Sequence, residues 1–187
     1  MKHGKIQYLL LAAAGGIVEA FSLMRLDGVF PNVQTANLLL CVLAFLQGNY
    51  TKASLFAISL AAYLLGSMLC SVIGERLYGR NGKVISFILA ETILITAMLI
   101  SELWKTAAVF LLAFLCGFCF EGLCIQMEKI NLSKKHELVL AFTVGVLLGA
   151  LLLPVSGSYV LIMAGVLLIL SQIPTWRKSE HHGYHSK

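Results

Sequence analysis

Charge is scarce in this chain. Asp, Glu, Lys and Arg make up 12% of its 187 residues, where an ordinary soluble domain carries about 25%. So few charged side chains cannot cover a sphere of this size, which excludes a soluble globule and leaves lipid as the solvent for most of the surface. Aqueous cysteine is missing too. Cys41, Cys70, Cys116, Cys119 and Cys124 all lie inside apolar stretches, and an odd count without polar spacing excludes a disulfide framework, so reduced thiols are expected. The chain has no glycine-rich phosphate loop, no His-Glu-x-x-His, no serine nucleophile elbow and no pair of aqueous carboxylates. Neither an enzyme nor a bound cofactor is therefore expected. The net charge of +5 does not point to nucleic acid, because the basic residues stand in short gaps between apolar runs, where they act as topology signals.

What remains is apolar: 59% of residues are hydrophobic and the mean hydropathy is +0.87. Seven apolar segments can be cut out, at 6–26, 33–46, 53–74, 84–101, 107–127, 138–153 and 159–173. The basic residues of 1–5 followed by apolar 6–11 resemble a signal peptide, but that apolar run is short and the apolar character continues past it, so an uncleaved first helix is expected. A helix needs about 20 residues to cross a bilayer, and segments two, six and seven fall short. Segment two opens on Pro31, Asn32, Gln34, Thr35 and Asn37, and is either a span or a broken, re-entrant half-helix.

The expected fold is thus all-α, a polytopic transmembrane bundle of six or seven hydrophobic helices, with a single domain over 1–173 and a polar cytoplasmic tail at 174–187. If all seven segments cross, the 14 Lys and Arg divide four to ten; if segment two re-enters, they divide 11 to three, with Arg25, Lys52 and Lys105 as the minority. Both schemes put the C-terminus in the cytoplasm and differ about the N-terminus.

Small residues recur at four-residue spacing in Ala12, Gly16 and Ala20, in Gly66, Cys70 and Gly74, and in Gly145 and Gly149. That spacing lets helix backbones approach closely inside a bundle or at a dimer face. A degenerate internal repeat is also visible. Gly15 stands four residues before Glu19 as Gly117 stands before Glu121, and Thr35-Ala36-Asn37 has an echo in Thr143-Val144-Gly145. With seven spans, the two halves would run parallel, as in some transporters.

Three carboxylates lie well inside apolar segments: Glu19, Glu91 and Glu121. An ionised carboxylate there costs about 2.5–3.5 kcal/mol on insertion scales, so each should be neutral, paired or facing a watery cavity. Glu19 and Glu121 share a helix face with a glycine, whereas Glu91 lacks that context. Arg25 and the polar cluster Asn32, Gln34, Thr35 and Asn37 are the candidate partners of Glu19. These four, with Glu19, Glu91 and Glu121, form the expected substrate- or proton-binding set. Cys116 and Cys119 make a C-x-x-C without a second pair or a nearby histidine, which reads as packing rather than metal ligation. His181, His182 and His185 belong to the solvated tail.

The stretch Gly16-Ile17-Val18-Glu19-Ala20-Phe21-Ser22-Leu23, then Gly28-Val29-Phe30 and Gln34-Thr35-Ala36-Asn37, resembles the opening of the YoaK-like family of bacterial multi-pass membrane proteins, a domain of unknown function. Tyr63-Leu64-Leu65-Gly66-Ser67 resembles that family's third segment. Glu19 stands where the family usually has Asp, and Ala36 where it has Gly. The chain is somewhat shortened in its second half relative to the family. The resemblance implies a bacterial inner-membrane protein of six or seven helices and supplies no reaction.

Two functions are weighed from these residues. One is a small secondary transporter or permease for a small molecule or ion, with the lipid bilayer and an unidentified solute as its partners, and a homodimer as the answer to its small size. The other is a non-transporting assembly factor or partner subunit in which the polar groups only hold helices together.

Overall fold

The computed structural model describes residues 2–77, 80–101, 103–127 and 135–182, with side chains placed over 6–72, 89–101, 103–119 and 136–171. The chain folds as α-helices with no strand among the described residues: α1 (Lys2–Arg25), α2 (Gln34–Leu46), α3 (Tyr50–Leu77), α4 (Arg80–Ile100), α5 (Lys105–Met127), α6 (Lys135–Ser156) and α7 (Val160–His182). The helices follow the apolar segments and extend a turn or so beyond most of them. Helix α7 continues to His182, past the boundary expected at 173. Stretches at Ile6–Arg25, Tyr50–Val72 and His136–Ser171 are long and apolar enough to cross a membrane. The last of these bends back at a 3-10 turn, Gly157–Tyr159, where Gly157 takes φ of 56°.

Contacts between helix ends set the direction of each helix. Lys Nζ of residue 105, at the start of α5, lies 3.2 Å from Asp27 Oδ1, just past the end of α1. Gly157, after α6, lies against Arg25 at the end of α1. The Ser101 and Ser158 hydroxyls are 3.1 Å apart, which brings the end of α4 to the same place. Helix α6 therefore runs parallel to α1, and α5 runs opposite to it. Helix α3 follows α5: Gly66 meets Phe114 and Phe118, and Cys70 lies beside Cys119.

It follows that α2 begins and ends on the same side of the bundle's midplane, and returns the chain to the end that α1 has just reached. Six helices run the length of the bundle and α2 is re-entrant. The seven-crossing scheme and its parallel halves do not occur, since α1 and α5 point in opposite directions. Of the basic residues with described side chains, Arg25, Lys52 and Lys105 stand at this end. Exposed Phe45, Tyr50, Trp104 and Tyr159 also lie here, as aromatic side chains do at a membrane interface.

Helix α1 packs against α6 and α7 and touches α5, and α3 and α5 form the other main helix pair. Ile17 and Phe21 of α1, and Leu26 just past its end, are fully buried. Its seam with α6 is built from small residues. A Cβ on Gly16 would overlap the Phe142 carbonyl, and one on Gly145 would overlap the Ala13 carbonyl. Gly66 and Gly117 do the same for α3 and α5, against the carbonyls of Phe114 and Tyr63. These glycines thus close helix pairs inside the chain. Outward-facing Leu39, Val42, Met68, Val72, Leu147 and Leu151 are exposed, an apolar exterior suited to lipid.

Candidate functional site

Asp27 (φ 58°) and Gly28 (φ 84°) take left-handed backbone conformations, which glycine and aspartate tolerate better than most residues. They turn the chain back after α1, so that residues 29–33 descend alongside it. Asn32 Nδ2 donates to the Gly15 carbonyl at 3.2 Å and to Glu19 Oε2 at 2.8 Å, and the Asn32 main-chain N–H donates to the same oxygen at 2.9 Å. Glu19 and Gly15 lie about 9 and 15 Å in from the end of α1 at the helical rise, so the loop tip sits near mid-depth.

Irregular backbone at that depth must be enclosed by protein or face water, and here its polar groups are closed residue by residue. Val29 and Pro31 are buried. Phe30 N–H donates to Asn37 Oδ1 at 3.0 Å, and its carbonyl accepts from Asn37 Nδ2 at 2.6 Å. Pro31 has no N–H to satisfy, and its carbonyl accepts from Gln34 Nε2 at 2.7 Å. The Val33 carbonyl accepts the N–H groups of Ala36 and Asn37. Asn37 is fully buried, and its Nδ2 also reaches Gln34 Oε1 at 3.2 Å and Ser59 Oγ of α3 at 3.0 Å. Gln34 and Asn37 therefore spend their polar groups holding the loop in shape.

Glu19 is different. It is 5% exposed, and while Oε2 takes both Asn32 donors, Oε1 has no hydrogen-bond partner. Ser22, fully buried one turn along α1, likewise leaves Oγ without a partner. Gly15, Glu19 and Ser22 follow the i, i+4, i+7 spacing of one helix face. That stripe was the signal by which Ser22 could have been read from the sequence. The Cys116 thiol of α5 lies beside both Glu19 and Asn32. The expected set thus comes together only in part: Glu19 and Asn32 meet, Gln34 and Asn37 build the loop, and Thr35, in the first turn of α2, is exposed. Arg25 stands exposed at the helix end, and the polar contacts described for Glu19 are both with Asn32.

Glu91 lies elsewhere, between α4 and α7. It does have a glycine, but on another helix: a Cβ on Gly165 would stand 2.7 Å from Glu91 Oε2. Its Oε1 is buried without a hydrogen-bond partner. Glu121 and Cys124 lie outside the residues whose side chains are described. No group of three or more His, Cys, Asp or Glu among the described residues could hold a metal ion.

An all-α membrane bundle, with a re-entrant half-helix pinned to a buried carboxylate, is the class that this geometry defines. Residues 7–122, more than half of the chain, match the family described as protein of unknown function (DUF1275), and the chain belongs to that family. The match runs from the start of α1 into α5 and so includes Glu19, the re-entrant loop and Cys116. Neither a curated protein nor a solved structure matches the chain.

Proposed function

We propose that the protein is a small secondary transporter or permease whose solute or coupling ion passes the tip of the re-entrant loop. One observation carries this reading: at mid-depth, a loop pinned to the buried Glu19 opens a half-helix whose first turn exposes Thr35. Discontinuous helices at that depth commonly form transporter sites, and lipid is a poor neighbour for an exposed hydroxyl and an uncapped helix start. No side chain caps the N-terminus of α2. Water reaching Thr35 from the opposite end of the bundle would satisfy both.

In this reading the protein is a YoaK-like member of its family in a bacterial inner membrane, and it is not an enzyme. With α2 re-entrant, the Lys and Arg of the sequence divide three to 11 between the two sets of gaps, which supports a cytoplasmic side for both termini. The bilayer and a small solute are its partners, nucleic acid is not, and a homodimer accommodates its small size. The alternative is an assembly factor or partner subunit, and it is favoured by the use of Asn32, Gln34 and Asn37 within the chain itself.

Single cysteines at Thr35, Ala44 and Asn49, in a background without the five native ones, separate the two in membranes broken open so that a small charged thiol reagent reaches both faces. The reagent should label Thr35→Cys and the outer-turn control Asn49→Cys, and spare the buried Ala44→Cys. Labelling of the control alone would mean that the loop tip is dry, and would leave the assembly-factor reading.

A further inference from the structure

We infer that Glu19 Oε1 is the seat of an exchangeable proton, with Ser22 Oγ as its first relay partner, so that the coupling ion of the proposed carrier is a proton rather than a metal cation. The inference rests on the carrier reading for its purpose and on independent observations for its chemistry.

Two buried polar atoms on one face of α1 lack partners, Glu19 Oε1 and Ser22 Oγ, on residues 5% and 0% exposed. The other oxygens around them are already engaged: Gly15 O accepts from Asn32, and the carbonyls of Phe30 and Pro31 accept from Gln34 and Asn37. Hard metal cations take about six or more oxygen ligands, and two open oxygens cannot replace that shell. A proton needs one oxygen to sit on and one acceptor to point at, directly or through a single water.

Asn32 makes such a proton exchangeable without dismantling the site. Both of its donors go to Oε2, the oxygen that remains an acceptor whether the carboxyl is neutral or ionised. Only Oε1 changes its hydrogen-bonding demand when a proton arrives from water or returns to it, and the loop tip stays pinned in both states. Among the described residues, the facing groups do not supply a fixed counter-charge. From α5 the titratable neighbour is Cys116, and the loop presents the uncharged Asn32. Helix α7 has no titratable side chain over residues 160–171, and the described titratable residues of α6, His136 and Glu137, lie at the far end.

Infrared difference spectra of the full chain in phosphatidylethanolamine and phosphatidylglycerol vesicles test this across a pH series. A carbonyl band of a protonated carboxyl group is expected that disappears as the pH is raised and is lost in Glu19→Gln. Ser22→Ala should keep the titrating band at a shifted frequency, and Glu19→Asp should restore a titrating band if Glu19→Gln fails to fold. A band that persists at every pH, or one that survives in folded Glu19→Gln, overturns the proposal. So does a melting temperature that rises with sodium chloride over choline chloride in the native chain but not in Glu19→Gln. Labelling of Thr35→Cys without a titrating Glu19 band sinks the proton and leaves the carrier. A titrating band without labelling sinks the carrier and leaves the proton site.

Discussion

Replacing Gly16 with alanine probes a close backbone contact between α1 and α6. The added Cβ would overlap the Phe142 carbonyl and stand 2.7 Å from the Val146 main-chain nitrogen. Both are backbone atoms of α6, so no side chain can swing aside and the two helices must separate by about 1 Å. A gap of that order forfeits a quarter to a half of the dispersion energy of each contact it opens. The seam also includes Ala13, Ile17 and Ala20 against Gly145 and Gly149, so the loss spreads over several pairs. An overpacking cost of about 3 kcal/mol is expected. Gly145→Ala, which meets the Ala13 carbonyl in the same seam, should cost a similar amount. The double variant should cost well under the sum, because helices already parted by the first methyl leave room for the second.

Gly48 provides the contrast. It takes φ of 73° with nothing within 4 Å of an added Cβ, so Gly48→Ala should cost only the local strain of about 1 kcal/mol. Thermal unfolding in detergent can be followed with a thiol-reactive fluorophore, since Cys70 and Cys116 are buried in the folded chain and react when it opens. If Gly16→Ala melts with the native chain, or if the Gly16 and Gly145 effects add in full, the close α1–α6 seam is refuted.

Asn37→Ala removes the acceptor of the Phe30 N–H, the shorter of the two donors to the Phe30 carbonyl and the Ser59 contact, and should destabilise by about 2–4 kcal/mol through stranded buried groups; Asn37→Asp, which cannot donate, should do little better in the same melting assay. Gly165→Ala meets only the far end of the Glu91 side chain, so its melting temperature should fall by less than that of Gly16→Ala, and a larger fall would mean that Glu91 is held rigidly in place. Lys105→Ala breaks an ion pair in which both side chains are about half exposed and should change stability by under about 1 kcal/mol; a larger loss would show that this contact does more than mark where α1 and α5 meet.

Local patterns in the sequence survive into the structure where neighbours along one helix decide them. The apolar runs became the helices, and the four-residue spacing of Gly16 and Ala20, and of Gly145 and Gly149, became the α1–α6 seam. Glu19 was legible because a carboxylate inside an apolar run needs a partner. The direction of each helix was not legible. It rests on Lys105 with Asp27, Ser101 with Ser158 and Gly157 with Arg25, pairs far apart in the chain whose meeting no periodicity announces. For the same reason the glycine beside Glu91 went unseen, since Gly165 belongs to α7. The echo between 35–37 and 143–145 joins unlike places: the first opens a half-helix and the second lies inside α6 against α1.

The loop and the carboxylate are best understood as a single device. A chain that turns at mid-depth strands several backbone donors and acceptors, and residues 30–37 satisfy most of theirs among themselves. The Asn32 N–H takes its acceptor from outside the loop, from Glu19, 13 residues earlier. An alanine at residue 19 would strand that N–H and leave the Asn32 amide only the Gly15 carbonyl, whereas glutamine keeps a carbonyl oxygen for both. Glu19→Gln should therefore fold like the native chain while losing the proton, and Glu19→Ala should lose both fold and function. If the two variants melt alike, the pin from Asn32 to Glu19 does not hold the loop, and the reading of α2 as a re-entrant element fixed by that carboxylate fails with it.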